Sequence, residues 1–325
     1  MTYPRPFYRY STYLKEKYGE AVYRISVDAG FTCPHRDENG RGGCSFCDEL
    51  GSRAAYQEEV VGNLMVKVKR GSPVGPERLG IIRRQIEQGR EFLYGRYGAK
   101  RYILYLQAFS NTFAPISELR RIYDFALSKA GFCEFIVSTR PDCVSNAHAR
   151  FLSEYVQPNL DVWVELGLQS AHDVTLRRVN RGHTVEQFER AFNRLRGAGL
   201  KITVHLIFGL PGESREAIMS SIDYVASLRP DAVKIHNLNI ASGTALSAEY
   251  MAGELAVPGG ERHLDYVIEA LQRLPASTVI QRITCDTSSD RLIAPLNFTP
   301  KGQFYQKLDQ KMAQLGMYQG QRYRS

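Results

Sequence analysis

The sequence predicts an α/β fold: a partial (β/α)6 TIM-like barrel with a C-terminal α/β extension packed on it. Three observations lead there. Six short runs rich in Val, Ile, Leu and Tyr recur along the first 243 residues of the 325-residue chain. Amphipathic stretches of helical length separate them. After Gly243 the alternation breaks. Strand–helix alternation of this kind builds a parallel sheet wrapped by helices, and right-handed crossovers curl it into a barrel or an open wound sheet. A complete (β/α)8 barrel needs eight units, so six favour the partial form.

The strands are expected at 21–27 (AVYRISV), 101–107 (RYILYLQ), 134–139 (EFIVST), 161–166 (DVWVEL), 202–208 (ITVHLIF) and 232–238 (AVKIHNL). Each is a short, mainly apolar run, as a strand buried on both faces requires. Helices fit between them over 76–95, 116–130, 146–156, 184–198 and 214–228. Ser117 before Glu118, and Thr184 ahead of Glu186 and Gln187, are start signals. Gly131 and Gly199 stand where C-terminal caps belong. Beyond Gly243 follow a helix (260–273), a strand (TVIQRIT, 278–284), the segment DRLIAPLNF and a last helix (300–315). The chain thus divides into a basic, aromatic N-terminal segment (1–20), the barrel (21–243) and the extension (244–325).

Composition narrows the class. Hydrophobic residues make up 43%, enough for a large core, and the net charge of +8 permits an anionic partner such as RNA. The first residues, MTYPRPFYRYSTYLKEKYG, lack the apolar region of a secretory signal. No run approaches the roughly 18 apolar residues of a membrane span. A cytoplasmic protein with no membrane partner is expected. In the N-terminal segment Arg5, Arg9, Lys15 and Lys17 interleave with Tyr3, Phe7, Tyr8, Tyr10 and Tyr13, and the tail reads QGQRYRS. Such a mixture either stacks on bases and meets phosphates or packs its rings on the barrel as an amphipathic helix.

Three of the six cysteines, Cys33, Cys44 and Cys47, lie in the stretch CPHRDENGRGGCSFC just after the first strand. Active sites of barrels collect at the C-terminal strand ends. Gly40, Gly42 and Gly43 allow the chain to fold back and bring Cys33 to the other two. Three thiolates hold three irons of a [4Fe–4S] cluster whose full complement is four cysteines. The same spacing also fits a zinc site with His35 as fourth ligand. Cys133 and Cys143 read as small core residues. Cys285, after the strand at 278–284, could reach the site as a hydrogen-atom donor. Glu165, His205 and His236 are ionisable groups inside apolar strand runs, where buried charge needs a partner. They are the weak catalytic candidates.

The stretch YRYSTYLKEKYGEAVYRISVDAGFTCPHRDENGRGGCSFCDELGS resembles radical S-adenosylmethionine (SAM) proteins of the bacterial YhcC type. These are relatives of the radical SAM domain in the catalytic subunit of Elongator. The wide gap before Cys44 and the aromatic Phe46 before Cys47 fit that branch. The resemblance runs on through QAFSNTFAP, VSTRPDCV, VELGLQSAHDVTLRRVNRGHT, HLIFGLPGES and VKIHNLNIASGT, from about Tyr8 to Gln321.

The resemblance implies a [4Fe–4S] cluster on Cys33, Cys44 and Cys47, with SAM on the open iron. It implies SAM contacts from Phe46, Ser110, Asn111, Thr112, Gln169, Arg181 and the turn Gly209, Leu210, Pro211. Gln169 and Arg181 match a similarly spaced pair in oxygen-independent coproporphyrinogen oxidases, with Arg181 pairing the SAM carboxylate. It further implies a reducing electron donor such as flavodoxin or ferredoxin, and a tRNA base as substrate. A small metabolite as substrate, or a zinc-stabilised RNA-binding protein without catalysis, are the alternatives.

Overall fold

The computed structural model describes residues 6–37, 42–47, 71, 73–296 and 298–324. Gly40, Tyr3, Arg5 and most of the basic tract at 66–75 lie outside them.

Six parallel strands pair in chain order: β1 (Val22–Val27), β2 (Arg101–Leu106), β3 (Phe132–Thr139), β4 (Asp161–Gln169), β5 (Lys201–Phe208) and β6 (Ala232–Asn237). The strand expected over 278–284 also forms, as β7 (Val279–Arg282), and joins the same sheet in parallel beside β6. The partial barrel therefore carries seven strands, with β1 and β7 as its edges. β4 runs three residues past its expected end because Gly167 continues the extended backbone instead of breaking it.

Between the strands run α2 (Pro76–Tyr97), α3 (Ile116–Leu127), α4 (Asn146–Ser153), α5 (Asp173–Arg178), α6 (Val185–Gly197) and α7 (Arg215–Leu228). Farther on come α8 (Ala245–Met251), α9 (Gly260–Arg273) and α10 (Lys301–Gln314). Among the described residues, no helix is long and apolar enough to cross a membrane. Thr184 caps α6 as expected, closing a capping box with Gln187. Gly199 follows that helix in the left-handed region, at φ +73°. Ser117 does not cap α3; the helix begins one residue earlier, behind Pro115.

Alternate strand residues face opposite ways. One set, including Leu104, Leu106, Phe135, Val137, Val164, Val204, Val233 and Ile235, is fully buried in the main apolar core that the outer helices share. The other set faces inward and is largely polar. This is why the strands read as near-continuous apolar runs interrupted by Glu165, His205 and Lys234.

The N-terminal segment closes the bottom of the barrel. Helix α1 (Tyr10–Tyr18) packs Tyr10 and Leu14 in a second cluster with Ile103, Tyr105, Ile136 and Trp163. Tyr10 and Tyr13 stack on each other and both meet Trp163 edge-on. Tyr10 donates to Glu134, and Lys17 pairs with Asp161 at the start of β4. Arg9 pairs with Asp309 of α10. The Ile280 amide donates to the Tyr8 carbonyl at 2.8 Å, covering the β7 edge. Of the two readings of this segment, packing on the barrel is the one seen for Tyr10 and Tyr13, while Arg9 and Lys17 are held in ion pairs. Their rings and charges are spent on the barrel floor.

Leu14 is 5% exposed at the centre of that floor. Leu14→Ala should cost about 2–4 kcal/mol of stability, read from urea denaturation. A change below about 0.5 kcal/mol would mean that α1 does not seal the barrel.

Candidate functional site

At the C-terminal strand ends, the chain leaving β1 carries Cys33 inward, and both Cys33 and Cys44 are buried. Gly42 and Gly43 take left-handed conformations, at φ +84° and +93°. A Cβ on Gly42 would stand 2.9 Å from the His35 carbonyl, so the fold-back requires glycine there. The loop is pinned from the β4–α6 connection. The Ser45 amide donates to the Val179 carbonyl at 3.0 Å, and the Asn180 side chain donates to the Gly43 carbonyl at 2.8 Å.

Two guanidiniums converge on the thiol of Cys44. Arg140 Nη1 and Arg181 Nη1 each lie 3.5 Å from its Sγ. Arg140 is also oriented by Asp142 at 2.9 Å and by the Arg181 carbonyl. Cys44 is pulled well below the usual thiol range by a hydrogen bond from Cys47, aided by both arginines against the cost of burial. Cys47, the donor of that bond, is pushed well up by it and by burial. The charge of Cys33 is likewise felt at Arg140. The loop therefore offers one thiolate-favouring sulfur, Cys44, in a cationic setting, which suits a ligand to an iron–sulfur cluster. His35, the fourth ligand of the zinc alternative, lies 3.4 Å from Asp142 through Nε2, with its ring against Gly182. Among the described residues, no three His, Cys, Asp or Glu side chains are set around one ion.

The other expected SAM contacts surround this point. Gln169 ends β4 at φ +74°, and its Oε1 is buried with no partner among the described residues. Arg181 donates through Nε to His183 at 3.0 Å and through Nη2 to the Gly167 carbonyl at 2.8 Å. Past β2, Ala108 and Phe109 are both left-handed, at φ +66° and +59°, a costly pair for non-glycine residues. Asn111 holds that turn, its Nδ2 donating to the carbonyls of Ala108 and Ser138 at 3.2 and 2.9 Å. Its Oδ1 is buried without a partner among the described residues, and Ser110 beside it is fully buried. The hydroxyl of Thr112 is taken by Thr139 and the Cys143 carbonyl, at 2.6 and 2.7 Å, so it braces the turn. Phe46 and Leu210 meet in one apolar cluster with Val179, Ile207 and Leu238. Gly209, at φ +88°, has Pro258 so close that a Cβ would stand 2.6 Å from its ring. Pro211 follows in the buried turn.

The weak catalytic candidates separate into two groups. Glu165 is buried at 3% side-chain exposure and pairs with Lys234 at 2.7 Å. Tyr105 donates to it at 3.1 Å. Burial would raise its carboxyl, but Lys234 and then His205 outweigh that and bring it down to about 2. Burial lowers Lys234 to about 8, Glu165 opposing. His205 and His236 stack edge to face, ring centres 4.2 Å apart. Burial holds His205 down to about 3 and His236 well below its usual range. Cys285 lies apart from the cysteine loop, its Sγ 3.6 Å from the Asn237 carbonyl, and burial pushes its thiol up to about 11. Cys133 and Cys143 are buried, as expected of core residues.

Sequence reasoning did not single out Arg140 or Lys234, which the fold brings against Cys44 and Glu165. Lys234 carried the same signal as Glu165, a charge inside an apolar strand run. Arg140 stood at a strand end, but its approach to Cys44 spans 96 residues.

The profile of the Radical SAM superfamily matches residues 32–225, more than half of the chain. The chain belongs to the radical SAM superfamily. A Radical_SAM C-terminal domain profile matches residues 230–314. This radical SAM protein is 35% identical to protein YhcC of Escherichia coli K12 over 287 residues, covering 87% of this chain and 84% of that one. The resemblance read in the sequence is thereby established. Over 178 residues it is 28% identical to a tRNA uridine(34) acetyltransferase of Methanocaldococcus infernus, covering 54% of this chain and 33% of that protein. The solved structure of archaeal M. infernus Elp3 shares the fold, with a TM-score of 0.66 and 19% identity. It covers 92% of this chain, which spans only 64% of that one. Radical SAM proteins as a family use SAM and a [4Fe–4S] cluster.

His183 and His205 are both held neutral, each at about 3, first by burial and then by Arg181 or Lys234 respectively. In the unfolded chain they titrate near 6.5. Below that pH the unfolded state binds more protons, so stability falls as pH drops from about 6.5 towards 3. His205→Gln should lose about 2 kcal/mol less than the wild type between about pH 7 and about pH 5. Equal losses in urea melts would show that His205 is not buried neutral.

Proposed function

We propose that this protein reductively cleaves SAM at a [4Fe–4S] cluster held by Cys33, Cys44 and Cys47, and that a tRNA nucleoside is the substrate. The observation that carries the first half is the meeting of Arg140 and Arg181 on the Cys44 thiol. When bound, the cluster and SAM supply methionine and a 5′-deoxyadenosyl radical that takes a hydrogen atom from the substrate. The electron comes from a reducing donor such as flavodoxin or ferredoxin.

The chain's own residues bind and orient. Arg140 and Arg181 favour the anionic form of Cys44 and fix the loop beside the ends of β3 and β4. Arg181 uses three N–H groups on His183, Cys44 and Gly167. A guanidinium has five donors in a fork, so two remain for the SAM carboxylate. The unpaired Oε1 of Gln169 and Oδ1 of Asn111 are acceptors suited to the SAM amino group. Phe46 and Leu210 give an apolar wall that keeps water from the site. Ser110, Gly209 and Pro211 shape the turns on either side. Glu165, tied to Lys234 and Tyr105, acts as a fixed charge rather than a free base.

The tRNA reading is supported by the likeness to the tRNA uridine(34) acetyltransferase over half of this chain and by the net charge of +8. The acetyl-transfer activity in that relative's name is not carried over, because this chain spans a third of it.

Anaerobically reconstituted protein should be brown and form 5′-deoxyadenosine from SAM on reduction. Cys44→Ala should lose the cluster absorption and that product together, down to background. A colourless, zinc-loaded protein that never cleaves SAM would refute the enzyme reading. For the substrate, mass spectrometry of tRNA nucleosides from a deletion strain should show one modified nucleoside missing; an unchanged profile would refute the tRNA half.

A further inference from the structure

The inside of the barrel carries an unbalanced positive charge beside the SAM residues. Strand register brings Gly167, His205, Lys234 and Arg282 onto one row across β4, β5, β6 and β7. Within that row Lys234 is neutralised by Glu165 at 2.7 Å. Arg282 is not. Its nearest polar neighbour among the described residues is His236 Nε2 at 3.5 Å, and no carboxylate stands within ion-pair distance. Lys301, at the start of α10, faces the same space. Burial and then the charge of Arg282 hold it down to about 8, although the side chain keeps contact with solvent.

Two more groups on this wall lack partners. His205 Nε2 and Gln281 Nε2 are both buried without a hydrogen bond among the described residues. Gln281 is 9% exposed. A buried donor left unpaired is costly, and Arg282, half-buried, carries its charge without a counter-ion among the described residues. Such a set is stable when an anion completes it. Arginine offers a carboxylate or phosphate a two-toothed fork.

Gly167 is the neighbour of His205 in register. A Cβ there would stand 2.6 Å from Arg181 Nη2 and from Gln169 Nε2. The missing side chain is therefore what lets Arg181 and Gln169, residues assigned to SAM, lie against the strand beside His205.

We propose that Arg282, with Gln281, His205 and Lys301, binds an oxyanion that the substrate carries into the barrel, a carboxylate or a phosphate. This rests on the SAM reading of the same site.

The test uses the anaerobically reconstituted full-length protein with SAM present, titrated calorimetrically with inorganic phosphate and with malonate at fixed ionic strength. One of the two should bind saturably at one site, and which one identifies the oxyanion. Arg282→Gln should weaken that binding at least about 10-fold, while Arg282→Lys, which keeps the charge but not the fork, should fall between. No saturable binding of either probe, or Arg282→Gln binding as the wild type does, overturns the proposal. Cluster absorption and SAM cleavage by the wild type are read in the same samples. Protein that cleaves SAM but binds neither anion sinks the oxyanion site alone; protein that binds one but never cleaves SAM sinks the SAM reading and leaves the anion site standing.

Discussion

The contact of Arg140 and Arg181 with the Cys44 sulfur is the constraint on which the rest of the site depends. Each arginine sits at the end of a different strand or its following loop, and each is fixed by a second partner, Asp142 for one and the Gly167 carbonyl for the other. Moving the end of β3 by one residue would turn the Arg140 guanidinium away, since neighbouring positions face opposite sides of the sheet, whereas Arg181 is set by the turn after α5, its amide donating to the Leu176 carbonyl at 2.8 Å. The cysteine loop has little regular structure of its own. It is held by these cations, by the backbone of Val179 and by Asn180.

That arrangement needs a barrel whose interior tolerates charge. The inward rows of β2 to β7 carry Tyr105, Glu165, His205, Lys234, His236 and Arg282 instead of the branched apolar layers that fill a closed barrel. Glu165 and Lys234 neutralise each other, and the two histidines are kept neutral by burial. The floor is sealed by α1, whose tyrosines cover Trp163 and reach Glu134 and Asp161. An apolar floor and a polar lumen thus occupy the same sheet face at different heights. The apolar outward rows, packed under the helices, supply the stability that the polar lumen does not.

Much of the fold was legible in the sequence. All seven parallel strands were placed within a few residues, and α6 with its Thr184 cap was found, because period, glycine and capping signals are local. The short helices α5 and α8 were missed, whereas α1 matches one of the two readings of the basic, aromatic segment, an amphipathic helix with its rings on the barrel. The seventh strand was seen but assigned to the extension, since nothing local tells a strand which edge it will join. Of the candidate site, the three cysteines were singled out by their spacing and Gln169, Arg181 and Asn111 by the family resemblance, and the fold brings Arg181 onto Cys44. Thr112 was read as a ligand contact, yet its hydroxyl is used up in bracing Thr139 and Cys143.

By itself the sequence determined the alternation of strands and helices, the position of the cysteine loop after β1 and the membership of the radical SAM superfamily. These follow from residue type and order, which need no partner to be expressed. Only the tertiary structure decided which charges meet. Arg140 on Cys44, Lys234 on Glu165 and the unpaired Arg282 are pairings across 96, 69 and 46 residues, the last measured to His236. Electrostatic contact depends on distance in space, and the sheet register, not the chain, sets that distance.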